Sequence, residues 1–489
     1  MPRRAILSAV VFVKAIAAAL ALSAAAFVAV FHLINLLMVL LAWVETRRQR
    51  LCSERAMAQM ALGSGALPGI TVVIPAYNEE VAITRTVRSM LTLRYPKLEI
   101  VVVNDGSKDR TLAALQHEFA LVPCSRGPRS TLPTQRVRAV FRSLQDDRIL
   151  VIDKRNGGKA DALNAGISFG AMELICAVDA DVVMDPDSLL HLARPFVEDP
   201  RTVATSGMIR LSNGCTVSED LRTVTPGMPG PLVEAFQVLE FIRSFSLGRL
   251  FFNQVNAHLI ISGAFGLFKR SLMLELEGYQ THSIGEDMEL VVRAHSLLRS
   301  RGEDYRIEFV ADALLYTEGP LSYRDLGKQR TRWHQGLLST LQLHRKMLLR
   351  PSYGAVGMFA YPYFFFLELL SPFVELFGWM GLPILWAVGW LEPLQLLPFF
   401  AASLALAVLV SLQAVLLDSS MFGFFKQPSH LLKLLACAVL EPLYYHQLML
   451  YYRIRAFPRY YGTVHLRGGW VSPKRAQSQP EAGETPAGG

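Results

Sequence analysis

Hydrophobic positions gather into two long blocks in this chain, with a stretch of alternating apolar and polar character between them. The first block covers residues 5–44, interrupted by Lys14 and His32, and the second covers residues 353–452. A helix needs about 20 apolar residues to cross a bilayer. Residues 5–44 therefore fit either two short spans turning near Ser23 or an interfacial start leading into one span over 19–44. Two spans would keep Arg3 and Arg4 on the side of Arg47 and Arg48, but would bury Lys14 at mid-membrane for about 2.5–3.5 kcal/mol. A cleaved signal peptide fits poorly, since the run is too long and no small-residue cleavage site follows it. In the second block, breaks at Pro372, Pro393 and 418–430 suggest spans near 355–371, 373–391, 395–417 and 431–452. Taking 355–391 as one kinked span gives three instead of four.

The middle, residues 68–320, carries the pattern of a soluble α/β domain. ITVVIPAY (70–77), EIVVVNDGS (99–107), RILVIDK (148–154) and LICAVDADV (174–182) are short β-branched runs that end in polar turn residues. Apolar residues at helical spacing, such as Ile83, Val87, Met90 and Leu91, fall between them. Strands alternating with such helices imply βαβ units and a mostly parallel sheet. Residues 121–137, with three prolines and a glycine, read as a surface loop. After this domain, residues 321–350 read as a basic amphipathic helix of the kind that lies in a membrane interface. Leu337, Leu338, Leu341 and Trp333 would line one side, and Lys328, Arg330, Arg345 and Lys346 the other. The tail, 453–489, is basic at first and then of disordered composition from 472.

Composition sharpens this division. The chain is 52% hydrophobic and 18% charged, where ordinary soluble domains carry about 25% charge. The formal net charge is +8, and its basic clusters flank the apolar blocks: Arg47, Arg48 and Arg50 after the first, Arg453, Arg455 and Arg459 after the last. Basic residues beside spans mark the cytoplasmic side. Nucleic-acid binding would need them on a soluble surface among stacking aromatics. The five cysteines, Cys52, Cys124, Cys176, Cys215 and Cys437, are scattered without a CxxC pair. That excludes a disulfide framework and a cysteine metal site.

The candidate chemistry sits at strand ends and helix starts. Asp179 and Asp181 follow an apolar strand, where open parallel sheets bind ligands; two carboxylates there suit a hard divalent cation that bridges phosphate oxygens. Asp105 ends another strand and could accept hydrogen bonds from a nucleobase or ribose. Asn156-Gly157-Gly158-Lys159-Ala160-Asp161 is a flexible turn opening a helix, with backbone N–H groups and a lysine that attract phosphate. Asp287, in Gly285-Glu286-Asp287, is a candidate general base for an acceptor hydroxyl. Gln329, Arg332 and Trp333, at i, i+3 and i+4, share one helix face. Taken singly, each of these reads equally as a turn, a helix start or an interfacial tryptophan.

Their order is the stronger signal. IPAYNEE (74–80), NDGS (104–107), NGGKADALN (156–164), DAD (179–181), GED (285–287) and QRTRW (329–333) resemble the family-2 glycosyltransferases. The resemblance is to their processive membrane branch of cellulose, hyaluronan and poly-N-acetylglucosamine synthases, and spans residues 70–345. It implies a GT-A fold, a Rossmann-like mostly parallel sheet flanked by transmembrane helices, and inversion at the anomeric carbon by one displacement. On this resemblance Pro75, Tyr77, Glu79, Asp105, Lys159, Asp161 and Asp179 line the donor pocket, and Asp181 binds Mg or Mn. Asp287 is the base, and Gln329, Arg332 and Trp333 cover the diphosphate and acceptor end. Gly263 and Gly266 of ISGAFG leave room beside the acceptor. The implied partners are a nucleotide-sugar (a UDP-sugar), a saccharide or lipid-linked acceptor, membrane lipids and export subunits, with no nucleic acid. The implied location is a bacterial-type cytoplasmic membrane, multi-pass, with the catalytic domain inside. GED replaces the TED of cellulose-type synthases, and the tail is too short for a cyclic-nucleotide domain. Both points favour a compact exopolysaccharide synthase.

Overall fold

The computed structural model describes residues 2–62, 67–387, 389, 392–425 and 427–463. Helix α1 (Pro2–Leu62) is continuous through Ser23, so the chain does not turn there. Next come β1 (Ile70–Ala76), α2 (Ile83–Leu91), β2 (Leu98–Asn104), α3 (Thr111–Glu118), β3 (Leu121–Pro123), β4 (Val137–Ser143) and β5 (Ile149–Lys154). The expected loop over 121–137 thus opens with a short strand. Then follow α4 (Lys159–Phe169), β6 (Leu174–Ala177), β7 (Val182–Met184), α5 (Ser188–Glu198) and β8 (Thr202–Leu211). A small hairpin, β9 (Thr216–Val217) and β10 (Val224–Thr225), leads to α6 (Leu232–Arg243) and α7 (Leu250–Gln254), which are joined by a π-helical turn at Ser244–Arg249. The domain ends with β11 (Gly266–Lys269), α8 (Arg270–Glu275), α9 (Glu286–Ser300), β12 (Arg306–Thr317) and α10 (Tyr323–Leu343). Beyond it lie α11 (Ser371–Ala387), α12 (Pro393–Phe422), α13 (Pro428–Leu440) and α14 (His446–Thr463), with π-helical segments at Val356–Ala360, Tyr363–Leu369 and Glu441–Tyr445.

Ten strands form one sheet in the order β3-β4-β5-β2-β1-β6-β11-β8-β12-β7. Its centre, β5-β2-β1-β6, is parallel, while β11 joins β6 and β8 antiparallel and β4 closes the other flank antiparallel to β5. Side chains alternate across a strand, and both faces are buried. Val72, Ile74, Ile100 and Val102 enter one core; Val73, Val101, Val103 and Ile152 enter the other. This explains why these strands read as unbroken apolar runs. Helix α4 lies close on β1 because Gly166 has no side chain; a Cβ there would fall 2.1 Å from Val73 Cγ1. With helices on both faces, the carboxyl ends of β1, β2, β5 and β6 are the open edge of the sheet.

Several polar ties hold the long helices to this domain. Gln49 of α1 donates to Phe309 O at 2.8 Å and accepts from Ala311 N at 3.1 Å. Arg210 of β8 pairs with Asp418 of α12 at 2.8 Å, and Arg243 of α6 with Glu441 at 2.6 Å. Among the described residues, Leu22–Arg50 and Phe400–Ser420 are long and apolar enough to cross a membrane by length and composition. Val356–Leu369 with Ser371–Ala387, bent by 41°, adds a third if taken as one span. The expected spans 355–371 and 373–391 correspond to this bent pair. The expected span 431–452 falls on α13 and the start of α14, which do not meet that requirement. The stretch read as disordered (472–489) lies outside the described residues.

Candidate active site

The strand ends and the helices below them enclose one cavity of about 3000 Å³, larger than the roughly 300–1,000 Å³ of ordinary small-molecule sites. Pro75, Tyr77, Glu79, Asp105, Lys159, Asp179, Asp181, Asp287, Gln329, Arg332 and Trp333 all line it. Residues from six separate stretches of sequence thus meet in one place. Asp161 does not line the cavity.

At the nucleoside end, Asp105 stands where β2 stops. Its carboxylate accepts from Lys154 Nζ at 2.5 Å, Gly157 N at 3.0 Å and Gly158 N at 2.8 Å. A carboxylate offers about four lone-pair sites, so one remains for a ligand donor. The turn reaches Asp105 because Gly158 takes φ +91° and Gly106 takes φ +67°; a Cβ on Gly106 would press to 2.8 Å from Asn156 N. Lys154, the last residue of β5, is fully buried and also pairs with Asp161 Oδ1 at 2.5 Å. Asp161 in turn accepts from Gln135 N. Its place is therefore behind the pocket wall, holding the lysine that holds Asp105, and not on the donor surface as expected. Lys154 went unnoticed in the sequence; a lysine ending an apolar strand one turn before NGGKAD was the available signal. Glu79 is buried, with its backbone N–H donating to Thr111 Oγ1 at 2.8 Å.

At the diphosphate end, Lys159 Nζ lies 2.5 Å from Asp179 Oδ1. Burial opposes the charge of Lys159, but Asp179, Glu286 and Asp287 together raise its pKa. Asp181 lies half-buried two residues on. No group of three or more His, Cys, Asp or Glu side chains able to hold a metal occurs among the described residues. Two carboxylates at a cavity edge fit Mg or Mn nonetheless, because such ions take one or two protein carboxylates and complete their shell with water and phosphate oxygens.

The base candidate opens α9. Asp287 Oδ2 accepts from Gly263 N at 3.1 Å and Oδ1 from Met288 N at 2.8 Å, which fixes the carboxylate plane. A Cβ on Gly263 would stand 3.2 Å from Asp287 Cβ and 3.4 Å from Lys159 Nζ. The missing side chain therefore leaves open the space between base and lysine. Beside it, burial raises the pKa of Glu286, with Asp287 adding to the rise and Lys159 opposing it.

Helix α10 closes the site. Ser322 caps it, accepting from Asp325 N at 3.1 Å, and the helix packs between α9 and α14. Arg332 and Trp333 are both exposed, Trp333 at 46%. Arg330, expected on the polar side, is instead buried. It pairs with Glu240 at 2.8 Å and stacks 4.2 Å from the Trp333 ring. Leu338 and Leu341 are buried, whereas Trp333, expected on the same side, is exposed.

An α/β sheet covered on both faces thus gathers the acids of a strand end and a helix-borne carboxylate around one cavity, and the comparisons with known proteins identify this arrangement as a glycosyltransferase of the GT-A fold. Residues 71–273 match the model of glycosyl transferase family 2, and residues 174–417 that of glycosyl transferase family group 2. Residues 71–273 therefore carry a family-2 glycosyltransferase domain. The chain is 28% identical over 271 residues to the poly-beta-1,6-N-acetyl-D-glucosamine synthase of Staphylococcus aureus (strain COL), covering 55% of each chain. It is 30% identical over 269 residues to that of Staphylococcus epidermidis, covering 55% of this chain and 54% of the relative. The matched stretch thus spans about half the length of these curated relatives. A mannosyltransferase from Pyrobaculum calidifontis, solved in complex with GDP-Man and Mn2+, shares the fold. Its TM-score is 0.52 at 20% identity, over 88% of this chain and 99% of that one.

Proposed function

We propose that this chain transfers a sugar, with inversion, from a UDP-sugar to a growing exopolysaccharide, working as a multi-pass protein at the cytoplasmic face of a membrane. The observation that carries this reading is the continuity of the cavity. It passes from Asp105 and Asp181, by Asp287 and Trp333, to walls formed by Tyr363, Glu368, Glu441 and His446 among the C-terminal helices. A cavity that continues from the reaction centre in among the C-terminal helices suits a product that stays bound while it lengthens. The synthase relatives support a saccharide acceptor, and the arginines flanking the apolar blocks support the cytoplasmic orientation.

In this reading Tyr77, Glu79 and Asp105 hold the nucleoside, and Arg332 and Gln329 face the diphosphate. Asp181, with Asp179 beside it, is the place for Mg or Mn, which when bound supplies positive charge against the leaving diphosphate. Asp287 takes the proton of the acceptor hydroxyl as its oxygen bonds to the anomeric carbon. The bond from that carbon to the diphosphate breaks on the opposite side, so the configuration inverts. Trp333 offers a face for the acceptor ring.

A second reading is a single transfer to a lipid-linked acceptor. It draws on the apolar part of the wall, where Phe27, Phe31 and Trp379 could admit a lipid chain. Membrane vesicles given labelled UDP-N-acetylglucosamine with Mg or Mn separate the two. High-mass product is expected; label recovered only as a single-sugar glycolipid in organic solvent would sink the polymerase reading.

A further inference from the structure

We propose that Arg249 binds the acceptor, its guanidinium fork receiving a pair of hydroxyl oxygens of the saccharide beside Asp287. The proposal rests on the saccharide-acceptor reading above and assigns a residue to it. Arg249 is the last residue of the π-helical turn Ser244–Arg249, between α6 and α7, and it lines the cavity. Such turns inside helices recur at functional sites.

What singles it out is a missing partner. Neighbouring arginines are neutralised inside the protein: Arg243 by Glu441, Arg330 by Glu240, Arg210 by Asp418. Arg249 makes no ion pair or hydrogen bond to any described residue, and its packing contact is the Phe245 ring at 5.4 Å. Burial lowers its pKa to about 10, and Asp287 is the charge acting the other way. His258, which lines the same cavity, is buried, with its pKa pushed well below the usual value by burial and then by Arg249, so it stays neutral. A guanidinium carries five N–H donors in a fixed fork, and half-buried Arg249 has them free to face the cavity that it lines. An oxygen-rich ligand in the cavity would fill them. The carboxylates of Glu286 and Asp287 share the cavity wall and would repel an anion, which favours neutral hydroxyls. A base at Asp287 requires a hydroxyl at this point as well.

The test uses the full-length chain in membrane vesicles, with UDP-N-acetylglucosamine and Mg as donor and short β-1,6-linked N-acetylglucosamine oligomers as acceptor. Arg249→Met and Arg249→Lys should each raise KM for the oligomer about 10- to 100-fold, the loss expected for hydrogen bonds from a charged donor. KM for the donor should stay within about twofold. Arg249→Met should melt no lower than the parent, because it strands no partner. Arg243→Met, which leaves Glu441 buried and unpaired, should melt lower. An unchanged oligomer KM in an active parent background would overturn the proposal alone. So would an equal rise in both KM values, or a melting loss for Arg249→Met like that of Arg243→Met. Full rescue by lysine would overturn the hydroxyl pair in favour of an anionic acceptor group. A parent that releases no UDP from any nucleotide-sugar would overturn the underlying reading and this assignment with it.

Discussion

Gly285 and Gly336 meet backbone to backbone. A Cβ on Gly285 would stand 2.9 Å from Gly336 Cα, and one on Gly336 would stand 3.0 Å from Gly285 Cα. This contact seats α10 on the start of α9 and so sets Gln329, Arg332 and Trp333 over the cavity that holds Asp287. Gly336→Ala must push the two helices apart. Overpacking of this kind costs about 1–3 kcal/mol, and a 1 Å misplacement of reacting groups costs about 100-fold in rate. The expected result is at least a tenfold lower kcat in a folded enzyme, read from steady-state kinetics beside a thermal melt. Full activity in Gly336→Ala would mean that this helix contact does not position the site.

The two acids at the reaction centre should separate in their effects. Asp287→Asn keeps the shape and removes the base, so transfer should fall about 100- to 10,000-fold while donor binding persists. Asp181→Asn should instead weaken the metal-dependent part of donor binding. Titrating a labelled nucleoside diphosphate against each variant, with and without Mn, checks the split. Equal loss of binding in both would contradict the assignment of roles.

Lys154 joins two carboxylates beneath the nucleoside pocket and has no solvent of its own. Removing one member of a buried ion pair costs about 3–5 kcal/mol, because the charge left behind is uncompensated. Lys154→Met should therefore lower the melting temperature sharply and loosen the Gly157-Gly158 turn on Asp105. Adding Asp161→Asn to that variant removes one stranded charge and should recover part of the loss. A double variant no more stable than the single one would show that Asp161 is not coupled to Lys154.

Much of this site was legible before any coordinates. The β-branched runs ending in polar residues located the ends of β1, β2, β5 and β6, because a strand buried on both faces leaves a continuous apolar signal. Asp105, Asp181 and Asp287 stood out through the order of their motifs along the chain, since each acid alone reads equally as part of a turn or a helix start. The later strands were harder. β8, β11 and β12 lie in a stretch whose motifs are sparse, and their pairing crosses from β6 to β11, more than 80 residues on in the chain. Asp161 was misplaced because a helix-start acid looks the same whether it faces a ligand or a lysine behind the wall. Arg330 was misplaced because it was grouped with Lys328 by charge, although residues two apart do not share a helix face, and its actual partner, Glu240, comes from a distant helix. Gly336 gave no signal, since a glycine inside a helix shows its purpose only when the backbone it touches is known.

His334, on the buried side of α10, makes stability depend on acid. It packs edge-on against Phe457 at 5.5 Å, and its Nε2 has no hydrogen-bond partner among the described residues. Burial first, and then the charge of Arg453, lower its pKa from 6.5 to about 3. The unfolded chain therefore takes up this proton before the folded one does. The stabilisation is complete above pH 6.5 and is lost progressively as pH falls from 6.5 toward 3. His295, lowered by burial to about 4, adds a loss of the same sign over a narrower window. His334→Phe removes its own titration while keeping a ring against Phe457. Its melting temperature should decline less steeply than the parent's between pH 6.5 and about 4, with the other buried histidines, His258 and His295 among them, contributing to the slope that remains. Parallel declines in parent and variant would place the acid sensitivity elsewhere in the protein.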